Sequence, residues 1–131
     1  MAKSRMTRLY QPDAQECAIL LLILVSGDQS EEQRDISRVR LAEITLKRLW
    51  GRHRLTDDFF AEVQEWLFRA GWALFYAGTT FAMVKTKAVE GWPRVSSKRL
   101  RDKLQDVAQG QFDFDRYFHL LAEHRRDSDE E

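Results

Sequence analysis

The sequence has few of the residues that crosslink a chain or anchor it in a membrane. It contains one cysteine, Cys17, which excludes an intrachain disulfide and a cysteine-based metal cluster. The longest apolar run, Cys17 to Val25, has nine residues, whereas a membrane-spanning helix needs ~20. Residues 1–8 are not followed by a cleavage pattern typical of secretion. We therefore expect a cytoplasmic protein that does not enter a membrane.

The sequence also has no excess of basic or of acidic residues. The 21 basic and 21 acidic residues cancel, so a nucleic-acid partner can be argued only from local clusters of charge. The content of 44% hydrophobic residues is sufficient for the core of one domain of 131 residues.

Residue patterns typical of catalysis and metal binding are absent as well. No glycine-rich phosphate loop occurs, and the three histidines are not at the helical spacing of a shared metal: His53, His119 and His124. Cys17 lies in an apolar run and is predicted to be buried. The carboxylate pairs Asp57 with Asp58 and Asp113 with Asp115 each begin a predicted helix, where the helix dipole accounts for them. We expect no enzyme activity, no metal site and no cofactor.

The first predicted helix begins after Asp13, with Glu16 completing a capping box. The apolar run that follows to Val25 predicts a helix buried on all sides. A strand over residues 18–25 is the less favoured alternative, because short apolar runs are ambiguous.

The middle of the chain alternates between strand and helix patterns. A short strand is predicted over Ile36 to Arg40, and a helix over Leu41 to Trp50 that ends at Gly51. After a turn, Thr56 is predicted to cap a second helix, which Gly71 ends. Two further strands, residues 72–76 and 79–87, are predicted to form a tight hairpin through Ala77 and Gly78.

Six aromatic side chains are predicted to face the core: Trp50, Phe59, Trp66, Trp72, Phe75 and Phe81. Phe60 and Phe68 fit the same helix face less well and are candidates for the edge of the core or a partner surface. Beyond the hairpin, Trp92 is predicted to anchor an irregular segment onto the domain. A helix with Leu100, Leu104 and Val107 follows, and a last helix runs from Asp113 to Arg126.

The order of these elements resembles the winged helix superfamily over residues 13–87. The resemblance rests on the Arg38 to Trp50 region, the Gly51 to Leu55 turn, the helix from Thr56, and the hairpin from Trp72 around Gly78. It implies a mainly α protein with a small β-hairpin. The implied parts are an N-terminal arm (1–12), a winged helix-turn-helix core (13–88), a C-terminal helical extension (89–126) and an acidic tail (127–131).

In that superfamily the helix after the turn usually enters the major groove of double-stranded DNA, and the wing contacts the backbone. The resemblance therefore implies a DNA-binding transcriptional regulator of prokaryotic or phage type. Two basic clusters, each with a local balance of +5, flank the turn and follow the wing. The predicted DNA contacts are Arg38, Arg40, Lys47, Arg48, Arg52, His53, Arg54, Gln64, Lys85, Lys87, Arg94, Lys98 and Arg99, with Gln64 as the residue that reads a base.

Two alternatives remain open. The exposed side of the helix from Thr56 is predicted to carry Asp57, Asp58, Glu62 and Glu65, which suits a module that binds a basic or apolar protein partner. The basic clusters also fit ordinary solvated helix faces. In either case the apolar last helix is predicted to pack within the chain or to form a homodimer.

Overall fold

Three local signals fix where the helices begin and end. In the computed structural model, which describes residues 10–27 and 36–122, Asp13 accepts a hydrogen bond from the Glu16 N–H at 2.9 Å and the Glu16 carboxylate accepts from the Asp13 N–H at 3.0 Å. Thr56 Oγ1 accepts from the Phe59 N–H at 3.2 Å. Gly51 has a φ of 64° in the left-handed region, which favours glycine. The predicted capping box, cap and stop are confirmed.

The chain divides into two compact units, Met1–Trp92 and Pro93–Glu131. The elements of the first unit are α1 (Ala14–Ser26), β1 (Arg38–Leu41), α2 (Glu43–Trp50), α3 (Asp57–Arg69), β2 (Trp72–Tyr76), β3 (Phe81–Lys85) and α4 (Thr86–Val89). The second unit contains a 3-10 helix (Ser97–Leu100), α5 (Arg101–Ala108) and a further 3-10 helix (Phe114–Tyr117). Most of the predicted arm, the loop after α1, the end of the last helix and the acidic tail lie outside the described residues.

The three strands form one antiparallel sheet in the order β1-β3-β2. Leu41 and Tyr76 both pair with Phe81, from opposite sides of β3. The chain is thus mainly helical with a small antiparallel sheet, an arrangement compatible with the predicted winged helix architecture. None of the helices in the described ranges is long and apolar enough to cross a membrane.

The core of the first unit lies between α1, α2, α3 and one face of the sheet. Its fully buried side chains include Cys17, Leu21, Leu46, Trp50, Val63, Leu67 and Met83. The Trp50 indole N–H donates to the Cys17 carbonyl oxygen at 3.1 Å, so α2 is bonded to α1 in the centre of the core. Burial raises the pKa of the Cys17 thiol, because desolvation disfavours the thiolate.

The structure corrects the predicted burial of the first helix. Residues 14–26 are helical, which excludes the strand alternative. The helix is not buried on all sides, however, because Ile19, Ile23 and Leu24 are exposed. The rest of the core covers only the side of α1 that carries Cys17 and Leu21.

The hairpin also differs from its prediction. Its connection is four residues, Ala77 to Thr80, with the Ala77 N–H donating to the Thr80 carbonyl oxygen at 2.7 Å. The third strand ends at Lys85, because Thr86 starts a short helix and donates from N and Oγ1 to the Gly71 carbonyl oxygen at 2.9 and 3.3 Å. Near the C-terminus, the helix predicted from Asp113 begins as a 3-10 helix.

Candidate nucleic-acid interface

The last turn of α2 and the segment between α2 and α3 present three basic side chains to solvent. Arg48 lies in the last turn of α2, and His53 and Arg54 follow Gly51; all three are exposed. A shallow depression of about 490 Å³ lies beside them, lined in part by Ile44, Lys47, Arg48 and His53. The left-handed Gly51 reverses the chain here, so the end of α2 and the turn share one surface.

These three side chains have no acidic partner within the described residues. The ion pairs found there join Lys47 to Glu43 at 3.0 Å and Arg69 to Glu65 at 3.4 Å. Lys47 is therefore partly neutralised by its neighbour on α2. The charges of Arg48 and Arg54 are available to an external anion.

Arg52 behaves differently from the arginines beside it. It is half-buried, and its Nη1 donates to the carbonyl oxygens of Pro12 at 2.8 Å and Trp50 at 3.2 Å. Its guanidinium also lies 3.7 Å from the centre of the Phe59 ring, a cation–π distance. This geometry gives Arg52 a role in joining α1, α2 and α3, one the sequence did not predict.

Gln64, the predicted base-reading residue, is half-buried and bonded within the protein. Its Nε2 donates to the Leu74 carbonyl oxygen at 2.7 Å, which ties α3 to β2. Reading adenine needs both the donor and the acceptor of the amide. The Gln64 amide would have to break this bond before it could do so.

The exposed face of α3 is acidic, as predicted. Asp57, Asp58, Glu62 and Glu65 are exposed on it. Arg69, the one basic residue of the helix, is paired with Glu65 and stacks 4.7 Å from the Trp66 ring centre.

The two phenylalanines that fitted the helix face least well have separate positions. Phe60 packs on the core with its ring centre 5.4 Å from that of Phe81. Phe68 is 63% exposed on the same side of α3 as the acidic residues. Aromatic side chains are enriched at protein interfaces.

The tip of the hairpin carries no basic side chain. Residues 77–80 are Ala, Gly, Thr and Thr, and Thr80 Oγ1 donates to the Leu41 carbonyl oxygen at 2.9 Å. Lys85 stands at the opposite end of β3, with its Nζ 5.7 Å from the Trp72 ring centre, and Lys87 is exposed on α4. The predicted lysines of the wing are therefore at its base.

The remaining predicted contacts lie on two other surfaces. Arg38 and Arg40 alternate with core-facing residues on β1 and are exposed on the side of the sheet away from the core. Arg94, Lys98 and Arg99 belong to the second unit, where all three are exposed. In that unit Leu100, Leu104 and Val107 are also exposed, and the homodimer through the C-terminal helices stays a prediction.

One aromatic residue was wrongly predicted to face the core. Phe75 is 44% exposed on the outer side of the sheet, whereas its neighbours Trp72 and Leu74 are buried. Strict alternation along β2, counted from Trp72, would have placed it there. Trp92 lines a depression on this same side and is 51% exposed, and its predicted anchoring of the following segment stays a prediction.

The described residues contain no group of three or more His, Cys, Asp or Glu side chains that could hold a metal ion. No protein-family model matches the sequence, and comparisons with curated proteins and with solved structures found no significant match.

Proposed function

We propose that this chain is a winged helix-turn-helix protein that binds double-stranded DNA and acts as a cytoplasmic transcriptional regulator of prokaryotic or phage type. The observation that carries the proposal is the exposed group of Arg48, His53 and Arg54 at the turn between α2 and α3, which has no acidic partner in the described residues. The order α1-β1-α2-α3-β2-β3, with β1 and β2 on either side of β3, supports the winged helix assignment.

In this proposal the phosphate backbone supplies most of the affinity. Arginines at the turn bind phosphate oxygens and release condensed counterions, and the His53 imidazole adds a further donor. The acidic side chains of α3 repel phosphates and keep the helix from inserting deeply. We therefore expect binding that depends strongly on salt and selects little among sequences, since phosphate contacts position a protein without reading bases.

Replacing Arg48 and Arg54 together with alanine is expected to weaken binding to every duplex by roughly 10- to 100-fold at low salt, because two charge-assisted contacts are lost. The slope of log affinity against log salt should become shallower by about 1.8, since each phosphate contact contributes about 0.9. Fluorescence anisotropy with labelled random and genomic duplexes over a salt series measures both quantities.

Arg101→Ala with Arg116→Ala is the matched control, because both arginines are exposed in the second unit and lie outside the predicted interface. It removes two positive charges, as the test variant does, and should leave affinity and slope unchanged. The proposal fails if the wild-type protein binds no duplex below the micromolar range at low salt. It also fails if the double variant retains the wild-type slope.

The exposed Phe68 favours a second candidate, a winged helix module that binds a protein through the acidic face of α3. A basic partner with an apolar pocket would pair with Glu62 and Glu65 and cover the Phe68 ring. Aromatic anchors surrounded by polar contacts are typical of the central part of protein interfaces.

Reversing Glu62 and Glu65 to lysine separates the two candidates. If α3 lies against DNA, the change of four charge units should tighten duplex binding several-fold and steepen its salt dependence, because repulsion becomes attraction. If α3 binds a protein, duplex binding should be absent in wild type, and a partner captured by the wild-type chain should be lost from the variant. Parallel anisotropy and pull-down measurements decide between these outcomes.

A further inference from the structure

The side of the sheet that faces away from the core forms a depression of about 350 Å³. We call it the outer sheet face, and it is lined by Arg38, Arg40, Phe75, Ala82, Val84 and Trp92, with Val39 and Met83 beneath. The strand register places Arg40, Ala82 and Phe75 in one row across the sheet and Arg38, Val84 and Ala73 in the next. Ala82 and Ala73, one in each row, have small side chains and leave space beside the larger ones.

Two aromatic rings border this depression and remain open to solvent. Phe75 is 44% exposed and Trp92 is 51% exposed. Val84 is only 6% exposed although it lies outside the core cluster, so neighbouring groups on the outer sheet face cover it. The face therefore combines an apolar floor with two rings available for stacking.

The charged side chains described on the same face are basic. Arg38 and Arg40 are exposed, and neither forms an ion pair within residues 10–27 and 36–122. Among the residues that the structure describes, no carboxylate lines the depression. Neighbouring strands lie about 4.8 Å apart, so Arg40 and Phe75, at the two ends of one row, are separated by roughly 10 Å across the small Ala82.

This combination fits a flat aromatic ring joined to an anion. In nucleic acids each base is linked to a phosphate, and grooves that bind single strands combine basic side chains with aromatic rings on which bases stack. In a duplex the base faces are hidden by stacking. A pocket for a free nucleotide would enclose most of the ligand surface, whereas both rings here are about half exposed on an open face.

We propose that the outer sheet face binds single-stranded nucleic acid, with a base stacked on Phe75 or Trp92 and a backbone phosphate held by Arg38 and Arg40. The surface is distinct from the turn that carries Arg48, His53 and Arg54, the residues on which the proposed function rests, and it gives Arg38 and Arg40 a different ligand from the duplex contact predicted from the sequence. It therefore does not depend on the proposed function, and each can fail alone.

The test is fluorescence anisotropy with a labelled single strand of twelve thymidines, compared with a labelled duplex of mixed sequence. Arg38→Gln with Arg40→Gln should weaken binding of the single strand at least tenfold and reduce its salt slope by about 1.4, since each contact to a single strand contributes about 0.7. Phe75→Leu, which keeps an apolar side chain, should weaken it roughly 5- to 150-fold if a base stacks there. Because all three residues are exposed, the melting temperatures should stay close to that of wild type.

Arg101→Gln with Arg116→Gln is the matched control, because both arginines are exposed in the second unit and belong to neither proposed surface, and it should leave binding of the single strand unchanged. The proposal is overturned if the single strand is not bound below about 100 μM at low salt, or if the outer-face variants bind it as wild type does. It is also overturned if thymidine monophosphate or an acidic peptide containing phenylalanine competes as well, mole for mole, as the unlabelled single strand. Those results would assign the face to a small ligand or to a protein segment.

Discussion

Trp50→Ala is expected to lower the free energy of unfolding by about 3–5 kcal/mol, the cost typical of removing a buried aromatic side chain. The Trp50 side chain is fully buried at the end of α2, and its ring centre lies 6.0 Å from that of Phe59 in an edge-to-face arrangement. Domains of this size are stable by only about 5–15 kcal/mol. Urea unfolding followed by circular dichroism should show a much lower midpoint or a largely unfolded variant.

Trp50→Phe separates packing from hydrogen bonding. It keeps an aromatic ring but leaves the Cys17 carbonyl oxygen without the indole N–H that lies 3.1 Å away in wild type. We expect a smaller loss, about 1–3 kcal/mol. An alanine variant that unfolds at the wild-type urea concentration would show that this site is not the centre of the core.

The rate at which the Cys17 thiol is alkylated is a second, independent measure of core opening in the same variants. Cys17 is buried and its pKa is raised by desolvation, so at neutral pH it should react very slowly with iodoacetamide in the folded protein. Thiolate formation is favoured in the unfolded chain, so stability gained from the buried thiol is present below the ordinary thiol pKa and is lost as pH rises above it. Alkylation of Cys17 should accelerate in Trp50→Ala in proportion to the opening of the core.

Much of the fold follows from local signals. The capping box at Asp13, the cap at Thr56 and the left-handed Gly51 each depend on residues within four positions of one another, and all three are predictable from the sequence. The exposed side of α1 and the four-residue hairpin connection are not. The first depends on how much of α1 the other elements cover, and the second depends on pairing of β3 with both neighbouring strands.

The candidate interface likewise has some features that the sequence predicts and others that depend on tertiary contacts. Exposure of Arg48, His53 and Arg54 agrees with the basic cluster read from the sequence. The internal bonds of Arg52 and Gln64 could not be predicted, because their acceptors Pro12 and Leu74 are 40 and 10 positions away in the chain. A count of charges treats all the arginines of a cluster alike, whereas tertiary contacts decide which of them remain available to a ligand.

Arg52→Ala is expected to destabilise the fold by about 2–4 kcal/mol, whereas Arg54→Ala should leave stability nearly unchanged. The first substitution removes charge-assisted hydrogen bonds to the Pro12 and Trp50 carbonyl oxygens, typically about 1.5–3 kcal/mol, and a cation–π contact with Phe59 worth about 0.5–1 kcal/mol. The second removes an exposed charge with no partner in the described residues. Urea unfolding of the two single variants measures this difference.

The effects of the two substitutions on duplex binding should rank in the opposite order from their effects on stability. At low salt and a temperature where both variants are folded, Arg54→Ala should weaken binding about tenfold, while Arg52→Ala should bind nearly as wild type does. Arg52→Lys keeps the charge but not the planar fork, so it should recover duplex binding without recovering full stability. A contrary result would be that Arg52→Ala unfolds as wild type does and loses as much duplex affinity as Arg54→Ala. The Arg52 guanidinium would then bind DNA phosphate, and its contacts with Pro12 and Phe59 would contribute little to the stability of the fold.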